Sequence, residues 1–440
     1  MTFTRQAANV KDGVTTVALT LLALAMRLWH LSTPKGFIFD EVYYAKNAHS
    51  LVLHGVELKP NGAAEFIVHP PIGKWLIGFG IKLFGFNEFG WRFASALIGA
   101  LSVGLMFLVA KKLFNNYFLA ISAATLMSLD GIHLVHSRVA LLDIFLMFFI
   151  LLAFFFILKT QTWFASIALG LALATKWSGI YYLVAFGLFM LYSDYRQEKA
   201  KESDKPLLVL AKKNLWLRLV QFGILPVFVY VFSWIGWFRS SVGWDRTWSS
   251  SVAKSFIHYH SEMWNFHTHL TDSHSYSANP WTWLIMSRPT SFFYASPKGC
   301  GASACSQEII ALGTPLIWWS AVVALFVTFG YWLARREWQS GLILLSVAAG
   351  YLPWFFMQKR TMFTFYAIAF EPFLILLIIF AISKALEPDG DKEVSKRRLY
   401  LVYGYLAAVA INFWYFYPLY MANVISYTNW IHHMWIPSWI

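Results

Sequence analysis

The sequence predicts an all-α polytopic membrane protein, and three observations carry that expectation. Charged residues make up only 13% of the 440 positions, about half the share of an ordinary soluble domain. Apolar residues reach 58% and aromatics 19%, with 40 Phe and 22 Trp, more apolar surface than one soluble core of this size can hide. Apolar stretches of the length needed to cross a bilayer recur along the chain. Together these exclude a cytosolic enzyme and a disordered chain, and two Cys are too few for a disulfide scaffold. The net charge of +13 then reads as loop charge beside a membrane, with no nucleic-acid partner.

Taken in order, the apolar stretches fall at 14–31, 92–110, 117–133, 139–158, 163–175, 177–193, 217–238, 311–333, 340–357, 362–383 and 399–420. That gives about 11 transmembrane helices, each near the length a hydrocarbon core requires. The fifth and sixth are short and almost fused at Thr175–Lys176. The first has no small-residue cleavage site and continues as an anchor. With the N-terminus inside, the inner segments hold 19 Lys and Arg and the much longer outer segments 15. Positive charge collects on the cytoplasmic side, so the topology reads N-in and C-out. Two long outer loops result, 32–91 with an acidic pair and 239–310 rich in aromatics and His. The inner loops 194–216 and 384–398 are rich in Lys, Glu and Asp and read as solvated connectors. No internal repeat divides the chain, so residues 1–440 are read as a single membrane-embedded domain.

Ionisable residues then stand out. Asp40 and Glu41 follow the first span within Phe39-Asp40-Glu41-Val42-Tyr43-Tyr44. Two readings apply to them: a helix start, where acids meet the positive end of the dipole, or a general base with a neighbour that binds substrate or tunes its pKa. In His69-Pro70-Pro71-Ile72-Gly73-Lys74 the prolines fit a first helical turn. Lys74, Gly78 and Lys82 would share one face of an amphipathic helix on the outer leaflet, with His69 and Lys74 able to meet an anionic headgroup. Ser137-Arg138 leads to Asp143, an acid in apolar sequence, where function is the default hypothesis and pairing with Arg138 the structural alternative. Arg92, Lys176 beside Trp177, and Arg360 lie at the outer ends of spans. One such cation can snorkel; several converging ones suit a phosphate.

The outer segment His274 to Trp283, with Trp281 and the following Arg288, reads as an interfacial belt or a substrate wall. His258/His260 and His267/His269 have H-x-H spacing, which on a strand would place both rings on one side; no further ligands complete a zinc site. Cys300 and Cys305, in an oxidising exterior, favour a small structural disulfide over a reactive thiol pair. Walker, dinucleotide-binding, H-E-x-x-H and G-x-S-x-G motifs are missing from the sequence.

Over nearly its whole length the chain resembles the protein O-mannosyltransferases, multispanning family C glycosyltransferases. The resemblance rests on Phe39-Asp40-Glu41, His69-Pro70-Pro71-Ile72-Gly73-Lys74, Arg92, Ser137-Arg138 through Asp143, Thr175-Lys176-Trp177-Ser178-Gly179, Pro280-Trp281 through Arg288-Pro289, and Arg360-Thr361-Met362-Phe363. Lacking the trefoil insertion of eukaryotic members, it resembles the compact actinobacterial branch. The resemblance implies inverting transfer of mannose from a polyprenyl-phosphate carrier to Ser or Thr hydroxyls of secreted proteins, on the outer face of the cell membrane. It makes Asp40 the base and Glu41 its helper, and Asp143 the second acidic position. Cations among Arg92, Arg138, Lys176, Arg288 and Arg360, with Trp177, would hold the donor. His69, Lys74, His274 and Trp281 would meet acceptor or headgroup. No cofactor and no obligatory metal follow; the partners implied are the lipid-linked donor, membrane lipids and acceptor polypeptides emerging near the translocon. The alternatives are a related transferase moving aminoarabinose or arabinose to a glycolipid or glycan, and a lipid-linked sugar transporter.

Overall fold

In hydrocarbon every backbone N–H and C=O must be satisfied within the protein, which favours helices as the crossing element. The computed structural model describes residues 2–201, 207, 214–386 and 396–440 and follows that rule. The inner loops 194–216 and 384–398 lie partly outside these residues. The first half comprises α1 (Thr2–Leu28), α2 (Glu41–His54), α3 (Ile72–Phe84), α4 (Glu88–Phe114), α5 (Tyr117–Ser128), α6 (Gly131–His136), α7 (Asp143–Leu158), α8 (Thr162–Leu173) and α9 (Gly179–Ala200). The second comprises α10 (Leu215–Ser233), α11 (Ile235–Arg239), α12 (Val252–His269), α13 (Pro315–Arg335), α14 (Trp338–Tyr351), α15 (Glu371–Leu386), α16 (Lys396–Tyr420) and α17 (Tyr427–His433).

Local chemistry starts these helices. Asn87 accepts a hydrogen bond from the Gly90 amide and caps α4, and Asn116 does the same for α5 through Leu119. The Phe- and Leu-rich α7 is apolar all round and accordingly lies in the core, against α4 and α8. By contrast α10, α13 and α16 turn apolar side chains outward, with Phe232 62%, Phe326 70% and Ile411 72% exposed. Outward faces of that kind suit lipid, not water.

The helical membrane fold is as expected from the sequence but differs from that reading in three details. Among the described residues, five helices are long and apolar enough to cross a membrane: Glu88–Phe114, Leu215–Ser233, Pro315–Arg335, Trp338–Met357 and Lys396–Tyr420. Polar residues cut two of the eleven expected apolar runs. Asp130 caps a new helix inside 117–133, and Asp143 starts α7 four residues into 139–158.

The fold is also not purely helical. β1 (Thr290–Ala295), β2 (Cys305–Ala311) and β3 (Ile425–Ser426) form an antiparallel sheet in that order, with Thr290 opposite Ala311 and Cys305 opposite Ser426. Cys300 and Cys305 are joined as a disulfide in the β1–β2 connection. Finally, the H-x-H pairs lie on helix α12 or at its end, where residues two apart point about 200° away from each other. They do not share a face.

Candidate active site

The frame of the site is built from buried charge. Arg92, on α4, is fully buried. Its Nε and Nη2 donate to the two carboxylate oxygens of Glu41 at 2.8 and 2.9 Å. Its remaining N–H groups reach the carbonyls of Leu31, Pro34 and Gly36, which uses all five guanidinium donors. Glu41 is equally occupied, accepting also from the Ile38 and Ala140 amides at 3.1 and 3.0 Å. Arg138 donates to the carbonyls of Arg27, Trp29 and His30, satisfying the orphan carbonyls at the end of α1. Glu41, Arg92 and Arg138 were expected to contact substrate. In the structure all three pin the 29–41 segment, and Glu41 and Arg92 spend their hydrogen-bonding capacity on the chain itself.

That pinning presents Asp40. Phe39 stands in the left-handed region at φ 48°, a costly conformation for a bulky side chain. Its ring is held by stacking on Phe292 and an edge contact with Phe365, at centroid distances of 4.6 and 5.6 Å. Asp40 follows as the first residue before α2, its main-chain oxygen receiving the Tyr43 and Tyr44 amides at 3.0 Å. Its carboxylate makes no capping bond. Burial pushes it up to about 6 from an ordinary 3.8, Lys176 pulls the other way, and Asp143 adds to the rise.

Across the cleft, Lys176 stands on the tight Thr175–Ser178 connection between α8 and α9. Its Nζ donates to both oxygens of Asp143 at 2.8 and 3.1 Å and lies 4.5 Å from the Tyr366 ring centre. A pocket of about 10 Å³, space for roughly one water, lies between Asp143, Lys176, Tyr181 and Tyr366. Arg360 Nη2 meets His267 Nδ1 at 3.4 Å, while its buried Nε has no partner among the described residues. His69 packs on His267 at 5.2 Å. Burial holds the His69 imidazole well below its usual range, with nearby Lys176, His267, Lys74 and Arg360 adding to the effect. His267 is lowered to about 4, again mainly by burial. The site therefore combines Lys176 and Arg360 with imidazoles whose protonation burial disfavours.

Trp177 extends this wall through its Nε1, which donates to Tyr230 Oη at 2.9 Å; Tyr230 in turn meets His260 at 2.7 Å. The other expected residues go elsewhere. Lys74 is buried and bonds Glu57 at 2.7 Å and the His69 carbonyl at 3.0 Å, so it does not face a headgroup. Its helix α3 packs one face against α2 and α4 and leaves Phe79, Leu83 and Phe84 exposed. Arg288 donates to the carbonyls of Ser275 and Ser438 and tethers loops. His274 packs edge-on against Phe363, and Trp281 is 70% exposed beside Phe355.

Tyr44 and Tyr366 were not singled out by sequence. Tyr44 packs against His69 at a centroid distance of 6.2 Å, and Tyr366 lies under Lys176 and lines the small pocket. Helical spacing was the available signal for Tyr44, four residues after Asp40.

Known proteins share this arrangement of helices. The chain superposes on the Saccharomyces cerevisiae protein O-mannosyltransferase Pmt1–Pmt2 complex bound to the sugar donor with a TM-score of 0.81 over 98% of this chain and 93% of that one, at 16% identity. It superposes on ArnT from Cupriavidus metallidurans bound to undecaprenyl phosphate with a TM-score of 0.55, covering 95% and 76% at 17% identity. The fold is thus the multi-pass helical membrane fold that these two structures share. Models described as dolichyl-phosphate-mannose-protein mannosyltransferase match residues 17–88 and 68–216. The C-terminal four TMM region of protein-O-mannosyltransferase matches 252–439. The polyprenol-phosphate-mannose–protein mannosyltransferase of Mycolicibacterium smegmatis is 33% identical, with 96% of this chain and 92% of the relative covered. The chain belongs to the protein O-mannosyltransferase family.

Proposed function

We propose that the protein transfers mannose from a polyprenyl-phosphate carrier to Ser or Thr hydroxyls of secreted polypeptides, with Asp40 as general base. The acceptor oxygen bonds to the anomeric carbon as the bond from that carbon to the phosphate oxygen breaks. The hydroxyl proton passes to Asp40, and the bonding electrons leave with the polyprenyl phosphate. Attack opposite the leaving group inverts the anomeric centre. A hydroxyl becomes acidic only as the new bond forms, so a positioned carboxylate can take its proton in the transition state.

The leaving phosphate is already anionic and needs charge stabilisation. Lys176 and Arg360 supply it, with Asp143 orienting Lys176. The observation that carries the assignment is the contrast between neighbours: Glu41 is saturated by Arg92 and two amides, whereas Asp40 makes no capping bond and has a raised pKa beside Lys176.

We further propose that the remaining apolar segments complete about eleven crossings with the N-terminus in the cytoplasm, as loop charge favours. Asp40 then faces outward, where acceptors emerge, near the translocon, and where the carrier phosphate sits at headgroup depth. The test uses radiolabelled mannosyl-phosphopolyprenol in the membrane and an impermeant Ser/Thr-rich peptide. Right-side-out vesicles should label the peptide and inverted ones should not. Label confined to lipid or glycan would contradict the acceptor; labelling only by inverted vesicles would contradict the orientation.

A further inference from the structure

A cavity of about 1420 Å³ lies far from Asp40. Asp143 begins α7 at the catalytic end, whereas Ile157 and Leu158 at its other end line this cavity. Fifteen helical steps put the two roughly 22 Å apart. The inner walls are apolar, with Phe189 and Met190 of α9, Phe329 of α13 and Leu345 of α14. The mouth is polar and carries Arg196, Arg218, Arg336 and Asp194.

One of those cations is cancelled. Arg218 forms a two-point pair with Asp194 at 2.7 and 2.8 Å and also donates to Gln221, which donates to Thr162 at 2.9 Å. Gln221 is buried, and it belongs to a π-helical turn, Val220–Ile224, inside α10. Such turns recur at functional sites. Arg196 and Arg336 remain without a carboxylate partner among the described residues. Arg196 meets only the Tyr192 hydroxyl, and Arg336 lies over the Trp332 ring. Trp163 and Trp338, 48% and 53% exposed, flank the same mouth. Exposed tryptophans on a membrane helix mark headgroup depth.

An apolar slot that opens at headgroup depth under two guanidinium groups with no carboxylate partner among the described residues matches one ligand chemistry: two acyl chains below a single negative charge. We propose that this cavity is a second lipid site, occupied by an anionic diacyl phospholipid of the leaflet opposite the catalytic end. Zwitterionic lipid would fill the slot without engaging the charge. The buried Thr162–Gln221–Arg218–Asp194 chain fixes the wall against which the headgroup rests.

The full chain in neutral detergent provides the test, by native mass spectrometry and thermal unfolding with added phosphatidylglycerol, phosphatidylcholine or polyprenyl phosphate. Wild type should retain phosphatidylglycerol about tenfold or more in preference to phosphatidylcholine and gain thermal stability from it. The double variant Arg196→Gln/Arg336→Gln should unfold at the wild-type temperature in detergent alone yet lose the preference. Leu345→Trp, which fills the slot, should weaken binding of both phospholipids. Equal retention of the two by wild type, or an undiminished preference in the double variant, would overturn the proposal. So would displacement of phosphatidylglycerol by polyprenyl phosphate, which would assign the cavity to the donor.

Discussion

At the scale of single residues, burial penalises the Asp40 charge more than Lys176 favours it, and the carboxyl titrates near 6. A base works when deprotonated, so the transfer rate should be level above pH 7 and fall about tenfold per unit once the pH drops below 6. A profile flat down to pH 5 would contradict the assignment. Ionising such a group also costs the native state stability as pH rises from about 4 to 6. Asp40→Asn should therefore unfold at pH 7 no earlier than wild type.

Glu41 should behave in the opposite way. Breaking its buried pair with Arg92 costs about 3–5 kcal/mol, so Glu41→Gln should show a large drop in unfolding temperature. Lost transfer with unchanged stability would return Glu41 to the chemistry. The sequence displayed the two acids side by side but not this difference, because the discriminating partner lies 51 positions away on α4. Lys74 was misread for the same reason: nothing local to it announces Glu57.

At the scale of elements, the apolar stretches located the helices well, since hydrophobic length is a property of adjacent residues. Their ends and their number were less legible, because Asp130 and Asp143 interrupt runs that composition alone reads as continuous. The β1–β2 hairpin was missed, its strands being short and set in a long aromatic loop. The way α3 seats on α4 also needs three dimensions. A β-carbon on Gly80 would lie 2.3 Å from the Gly90 carbonyl oxygen, and backbone cannot step aside as a flexible side chain can. Small residues permit such close approach of membrane-associated helices. Gly80→Ala should therefore cost about 1–3 kcal/mol, read as an earlier unfolding transition in detergent. Unchanged unfolding would mean that the two helices are not so tightly apposed.

At the scale of the whole molecule, one end of the bundle gathers what the reaction needs. The C-terminal end of α1, the first residues of α2 and α7, and the α8–α9 connection meet there, together with the end of α12 at His267 and the turn that carries Arg360. Composition and motif order were enough to indicate the membrane and the family. They could not sort framework cations from cleft cations, since Arg92 and Arg138 differ from Lys176 and Arg360 only in what surrounds them once folded. The central claim is that Asp40 takes the proton and that donor binding rests on other groups. Single-turnover transfer by Asp40→Asn, measured with donor affinity on the same preparation, addresses it directly. The expected result is transfer slowed by about 100-fold or more with donor affinity close to wild type; turnover at the wild-type rate would contradict it.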